Sequence, residues 1–296
     1  MDLEELRAFL AVADSGSFLT AAKSLRLSRA TLRRRIDQLE ARAGVLLVDR
    51  TRTGVFLTEA GTMLAGRGRL MVQEASALIE SVREVGGEPA GVLRILLPVG
   101  LPPHLITPLL GFVRARYPRI SYRVHFSDDP VGGLIENVDL ALHFGDRSPS
   151  GPWVSREIAR VRVWAIASRE YLAQHGTPRT LEDLRNHELL AWECPGDDGK
   201  LWPLLHGGTF PVSPMMVTRH IHMIRQFAIA GLGISLVPDA MMADPGVAEG
   251  ALIPVLPELI GREVGVRIVV PAVLSEIPRI KALIELLKPL LGDLGL

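Results

Sequence analysis

Near the N-terminus, apolar positions recur at helical spacing in short runs. Leu3, Leu6, Phe9, Leu10 and Ala13 form one apolar face, which Ser15-Gly16-Ser17 brings to an end. Phe18, Ala21, Ala22 and Leu25 follow at i, i+3, i+4 and i+7, a narrow face suited to close packing. Leu27 and Ser28 break that pattern, and the Ser28 hydroxyl can accept from the free amides of the next turn as an N-cap. The helix it opens buries Leu32, Ile36 and Leu39 and stops at Gly44. At about 100° per residue, Arg34 projects nearly opposite Leu32 and Ile36, with Ala30 and Asp37 beside it and Arg33 on the flank. Past Gly44, Leu46, Val48, Val55 and Leu57 alternate around Arg50-Thr51-Arg52-Thr53-Gly54 like a small hairpin.

From Thr58, a fair N-cap, a helical pattern runs to Gly86-Gly87-Glu88-Pro89, weakened locally by Gly66 and Gly68. Leu57, Leu64, Met71, Leu78 and Val85 repeat every seven residues, which predicts a coiled-coil seam and a dimer; the competing reading is a helix lying on its own C-terminal domain. Such a helix is roughly 40 Å long, enough to set two reading heads on successive turns of DNA. Beyond Gly91 the pattern changes to short apolar runs alternating with helices. Strands are predicted at 92–97, 120–126, 138–144, 212–217, 234–237 and 264–270, with two more inside 154–168. Helices are predicted at 105–116, 169–175, 181–186, 220–230 and 277–290, and the alternation points to a parallel sheet.

At 296 residues and 48% hydrophobic content the chain can fill two or three cores. The formal net charge of +0 argues against a uniformly basic nucleic-acid binder, so a DNA-binding surface has to be local. One is present: Lys23, Arg26, Arg29, Arg33, Arg34, Arg35, Arg42, Arg50 and Arg52 face only Asp37, Glu40 and Asp49. A helix that docks by its apolar side and offers guanidinium groups on its first turns suits the major groove, where arginine takes guanine O6 and N7 or holds phosphate. The plain alternative is a solvated arginine-rich face on a core helix. Arg50 and Arg52 would lie near the phosphate backbone or minor groove, or Arg50 would serve as a salt-bridge residue.

Cys194 is the only cysteine, which rules out an intrachain disulfide and a thiol metal cluster and fits a reducing cytoplasm. The acidic, amphipathic start lacks the form of a signal peptide, and no stretch reaches about 18 uninterrupted apolar residues, so neither export nor membrane insertion is expected. His220-Ile221-His222 places its imidazoles on different helix faces with no further ligand at metal spacing. Asp128-Asp129 has no nucleophile-base set near it, and neither a phosphate-binding glycine loop nor a GxSxG elbow occurs. An enzyme is not expected, and no cofactor or metal is implied.

The first ninety residues or so closely resemble the N-terminal part of LysR-type transcriptional regulators. The resemblance rests on Leu3, Leu6, Phe9 and Val12; Gly16-Ser17-Phe18; Ala21-Ala22; Leu25 and Ser28; Ile36 with Leu39-Glu40; Gly44, Leu46-Leu47 and Arg50; and Leu57-Thr58-Glu59-Ala60-Gly61. It implies a winged helix-turn-helix whose second helix reads double-stranded DNA, with Ser28 and Arg34 on the duplex and Arg29, Ala30, Arg33, Arg50 and Arg52 as further contacts. Arg29 stands where a glutamine is common and Arg33 where a serine is common. Looser motifs carry the resemblance into the second part: Leu93-Arg94-Ile95, Tyr117-Pro118, Asp139-Leu140-Ala141-Leu142, Tyr171-Leu172, His175-Gly176-Thr177-Pro178 and Ala230-Gly231-Leu232-Gly233-Ile234.

The implied fold class is α+β and multidomain: a winged helix-turn-helix over 1–58, a linker and dimerisation helix over 59–87, and a two-lobed α/β effector domain over 91–296 shaped like a periplasmic binding protein. Lobe 1 takes about 91–162 and 264–296 and lobe 2 about 163–263. Ligands of open α/β sheets bind beyond the carboxyl ends of strands, which places Val99, Gly100, Leu101, Ser127, Asp128, His143, Phe144, Arg219 and His220 around the cleft, with Trp202 as a further candidate. Relatives often offer hydroxyls after the first strand, whereas Pro98-Val99-Gly100-Leu101-Pro102-Pro103 has none. A largely apolar or aromatic small-molecule effector is therefore expected, with His104, His143 or Arg219 as the alternative source of a donor. The resemblance implies a homodimer or homotetramer that contacts RNA polymerase. Competing readings are an effector-independent repressor or architectural protein, and a solute-binding or catalytic module.

Overall fold

A computed structural model describes residues 2–51, 54–84, 88–101, 103–131, 138–149, 151–194, 196–238, 250–275, 277, 280–281 and 283–285. The chain forms two compact units, Met1–Arg83 and Glu84–Leu296.

In the first unit, α1 (Leu3–Ser15) starts at a capping box in which Asp2 accepts from the Glu4 amide and Glu5 reaches back to Asp2. Then come α2 (Phe18–Ser24), α3 (Arg29–Ala43), the antiparallel hairpin β1 (Val48–Arg50) and β2 (Val55–Leu57), and α4 (Glu59–Glu84). The core joins Leu6, Phe9 and Val12 of α1, Ala21 and Ala22 of α2, and Leu32, Ile36 and Leu39 of α3. These are the apolar runs of the sequence, and together they dock α3 by one side only. Gly44 closes α3 in the left-handed region at φ 70°.

The long helix α4 is part of this core for its first half. A Cβ on Gly61 would sit 2.0 Å from the Leu47 carbonyl and one on Gly68 would sit 2.7 Å from a Leu6 methyl, so both glycines are close-approach positions rather than weak points. Leu57 lies in β2, not in the helix, and Leu64 packs on the core, which corrects the heptad reading at its N-terminal end. Met71 and Leu78 are 48% and 65% exposed, with Ile79 and Val82 also exposed. Val85 lies outside the described residues.

The second unit contains β3 (Gly91–Pro98), α5 (Pro103–Arg116), β4 (Ile120–Ser127), β5 (Leu140–Phe144), β6 (Trp153–Ser168), α6 (Arg169–His175), β7 (Leu189–Trp192), β8 (Leu201–Pro203), β9 (Thr209–Pro211), β10 (Met216–Thr218), α7 (Ile221–Ile229), β11 (Ile234–Pro238), β12 (Leu252–Pro254) and β13 (Arg262–Pro271). One sheet runs in the order β10-β7-β11-β6-β13-β5-β3-β4, with β12 on β6, and β8–β9 is a separate hairpin. The sheet is mixed, correcting the parallel expectation. Pairs β3–β4, β3–β5, β7–β10 and β7–β11 are parallel, but β13 runs antiparallel to β5 and β6, and β11 antiparallel to β6.

The 154–168 stretch lies in one strand, the 16-residue β6, instead of two. Its N-terminal part finds β13 and its C-terminal part finds β11 and β12, so no turn is needed between them. Together β6 and β13 carry the chain through both halves of the sheet. Pro214 interrupts the predicted strand at 212–217, leaving only Met216–Thr218 paired. The 181–186 segment is a short 3-10 turn, Glu182–Asn186. Of the predicted 277–290 helix, residues 280–281 and 283–285 are described and helical.

Candidate functional site

The leading turn of α3 is organised by Ser28, whose hydroxyl accepts from the Thr31 amide at 3.0 Å and meets the Thr31 hydroxyl at 2.8 Å. Arg29, Ala30, Arg33 and Arg34 are exposed on the turns that follow. Among the described residues Arg29 and Arg34 make no ion pair, whereas Arg33 Nε stands 3.8 Å from Asp37. Other arginines of the basic stretch are committed to the fold: Arg35 pairs with Glu4 at 3.0 Å and Arg42 with the buried Glu5.

Arg50 belongs to the second group. It donates to Asp37 at 2.6 Å, stands 3.8 Å from Glu40 and lies over the Phe18 ring at 5.2 Å, so the salt-bridge reading of Arg50 describes its contacts. Arg52 lies outside the described residues. Glu40, which the chemistry of the basic run did not single out, is buried, and one carboxylate oxygen accepts from the amides of Leu47 and Val48 at 2.8 and 3.1 Å. It fixes the hairpin to α3. An open depression of about 780 Å³ lies between them, lined by Ser17, Phe18, Arg29, Ala30, Arg33 and Arg50 among others.

In the second unit, several predicted residues meet across the sheet. The Val99 amide donates to the Ser127 carbonyl at 2.9 Å, and the His222 amide donates to the Gly100 carbonyl at 3.2 Å. Gly100 has φ 81° and its missing Cβ would lie 2.5 Å from His220 Nδ1, so only glycine fits beside the start of α7. His220 itself caps α7, Nδ1 accepting from the Met223 amide at 3.2 Å. Arg219 donates to Glu193 at 3.2 Å and stands 3.6 Å from Asp128, linking the loops after β4, β7 and β10.

Three predicted ligand contacts are closed off. His143 is 1% exposed, with Nδ1 at 3.2 Å from the Phe144 carbonyl; burial, together with the charges of Arg267 and Arg147, holds its pKa below the ordinary value against the raising effect of that backbone contact and of Asp129. Phe144 packs edge-on against Trp192 at 5.6 Å. Trp202 is 1% exposed in the β8–β9 hairpin and is a core residue, offering no surface to a ligand. The buried run 189–192, which contains Trp192, carries no polar signal in the sequence. The Cys194 thiol lies 3.8 Å from the Phe144 carbonyl, and burial pushes its pKa up to about 12.

Among the described residues no cluster of His, Cys, Asp or Glu is placed to hold a metal, and no helix is long and apolar enough to cross a membrane.

A one-sided helix-turn-helix with a basic outer face, followed by a two-lobed α/β unit, defines a DNA-binding regulator with a separate regulatory domain. Residues 3–62 match the bacterial regulatory helix-turn-helix protein, lysR family, and residues 86–292 match the LysR substrate binding domain. The chain belongs to the LysR family of transcriptional regulators, proteins that bind DNA and small-molecule effectors and form oligomers and are not enzymes. It is 34% identical over 257 residues to the HTH-type transcriptional regulator CrgA of Neisseria meningitidis, covering 86% of this chain and 85% of that one. An HTH-type transcriptional regulator of Xanthomonas campestris is 30% identical over 292 residues, covering 97% and 84%. The solved structure of the Neisseria CrgA aligns over 100% of both chains with a TM-score of 0.60 and 30% identity. Full-length AphB of Vibrio cholerae, at 23% identity, a TM-score of 0.57 and coverage of 97% and 98%, shares the fold.

Proposed function

We propose that α3 reads an operator in double-stranded DNA through Ser28, Arg29, Ala30, Arg33 and Arg34, that the exposed apolar stripe of α4 joins chains into a homodimer or a dimer of dimers, and that a small molecule held between the lobes modulates contact with RNA polymerase. The observation that carries the reading is the sorting of the arginines. Arg35, Arg42 and Arg50 hold the fold together, while Arg29 and Arg34 stand exposed without ion pairs among the described residues on the helix whose other side is core. Replacing Arg34 by Ala is expected to weaken operator binding about five- to 150-fold in a gel-shift assay, from a guanidinium contact of about 1–3 kcal/mol. Undiminished affinity would remove Arg34 from the interface.

The effector on this reading is largely apolar or aromatic. Arg219 is already matched by Asp128 and Glu193, the segment after β3 has no hydroxyl, and α5 opens on Pro103, which has no amide proton to offer an anion. Aromatic or apolar metabolites are expected to raise the melting temperature of the full chain. A panel in which only simple dicarboxylates do so would contradict this ligand class.

A further inference from the structure

We propose that the depression between the start of α3 and the β1–β2 hairpin seats one phosphate strand of the duplex, held by Arg29 and Arg33, leaving base selection to Arg34. The inference rests on DNA reading by α3 and assigns separate work to its arginines. The buried stripe of α3 is Leu32, Ile36 and Leu39. Measured from that stripe at about 100° per residue, Arg34 and Ala30 point about 165° and 155° away, the outermost directions. Arg33 lies only about 95° away and Arg29 about 55°, on the flank turned toward α2 and the hairpin. The cavity is lined by Arg29, Ala30 and Arg33 with Arg50, whereas Arg34 does not line it.

Its cations are arranged for a polyanion. Arg29 and Arg33 stand about 6 Å apart along the helix axis, one above the other on successive turns of α3. Arg50 forms the opposite wall, held over Phe18 and by Asp37 at 2.6 Å. The other Asp37 oxygen lies 3.8 Å from Arg33 Nε, a long contact, and the Arg33 side chain is 65% exposed. Asp37 is thus shared between the two arginines and does not line the cavity. Ser17 and Thr51 add polar groups at the rim. A base edge needs one oriented donor pair, whereas two arginines spaced along a trough beside a third fit a run of phosphates.

The test uses the full-length chain and its Arg29→Gln and Arg33→Ser variants. Each selects from a library of duplexes with a randomised central segment, and the most enriched duplex is titrated by fluorescence anisotropy from low to moderate salt. The proposal expects one shared sequence preference for all three proteins and a slope of log K against log salt that is shallower by about 0.9 for each arginine removed. A changed base preference at an unchanged slope would overturn it, as would variants whose slopes match the parent. If the unaltered chain enriches no sequence, the operator reading above fails. The slopes on an arbitrary duplex then still decide the phosphate seat, a reduction in the variants upholding it and equal slopes overturning it.

Discussion

Glu40 occupies a position where one side chain fixes the relation between the reading helix and the hairpin beside it. Its carboxylate accepts from two backbone amides that the turn after α3 leaves without other partners, and it does so from a buried site. Glu40→Ala would strand both amides away from water, at about 1–3 kcal/mol each. Urea unfolding is expected to show a loss of about 3 kcal/mol, with Glu40→Gln losing less because its carbonyl still accepts; equal stability of all three proteins would refute the clamp. His143 supplies a pH prediction. Its folded pKa lies below the ordinary value near 6.5, with burial as the main cause, so below that pH the unfolded chain takes up a proton that the native chain does not. Stability is therefore full above the unfolded value and is lost as pH falls through the folded one. A His143→Leu variant should show a flatter acid limb in denaturant midpoints between pH 7 and 5, whereas a limb of unchanged steepness would locate the titrating group elsewhere.

At the scale of elements, the apolar period of α4 changes meaning along its length. Leu64 and Ala65 pack on the core of the first unit, and from Met71 onward the same helix shows apolar side chains to solvent. Leu78→Asp removes little internal packing at 65% exposure, so the fold should hold while self-association weakens. Sedimentation equilibrium is expected to show a shift from oligomer toward monomer with unchanged helical circular dichroism; an unaltered oligomer would place the interface elsewhere. This helix also marks where sequence reasoning reached its limit. The seven-residue repeat was legible, but a repeat cannot tell a partner helix from the core of its own unit, and Leu57 proved to be a strand residue. The helix-turn-helix was legible because each helix there is amphipathic, capped and bounded by Ser or Gly. In the sheet, buried strands such as 189–192 have no alternation to mark them, and strand direction depends on distant partners, which hid the antiparallel insertion of β13. Of the site, exposure on α3 followed from helix geometry. The burial of His143 and Trp202 did not, since it depends on strand pairing with distant or unrecognised partners, Arg267 of β13 for His143 and Phe210 of β9 for Trp202.

For the whole molecule, net neutrality and local charge fit together. The +0 balance limits nonspecific attraction to polyanions, and ion pairs absorb Arg35, Arg42 and Arg50, while Arg29 and Arg34 of α3 stay exposed. In the second unit Arg219 ties loops from several strands through Glu193 and Asp128, contacts that a ligand entering beside them would have to rearrange. This arrangement is predicted to read sequence rather than charge alone. The most direct measurement is fluorescence anisotropy of the full chain on DNA from upstream of its own gene against scrambled DNA of equal length, across a salt series. Specific contacts persist as counterion release is suppressed, so a preference for the upstream duplex that survives at higher salt is the predicted result. Equal binding to both duplexes that fades together as salt rises would contradict it.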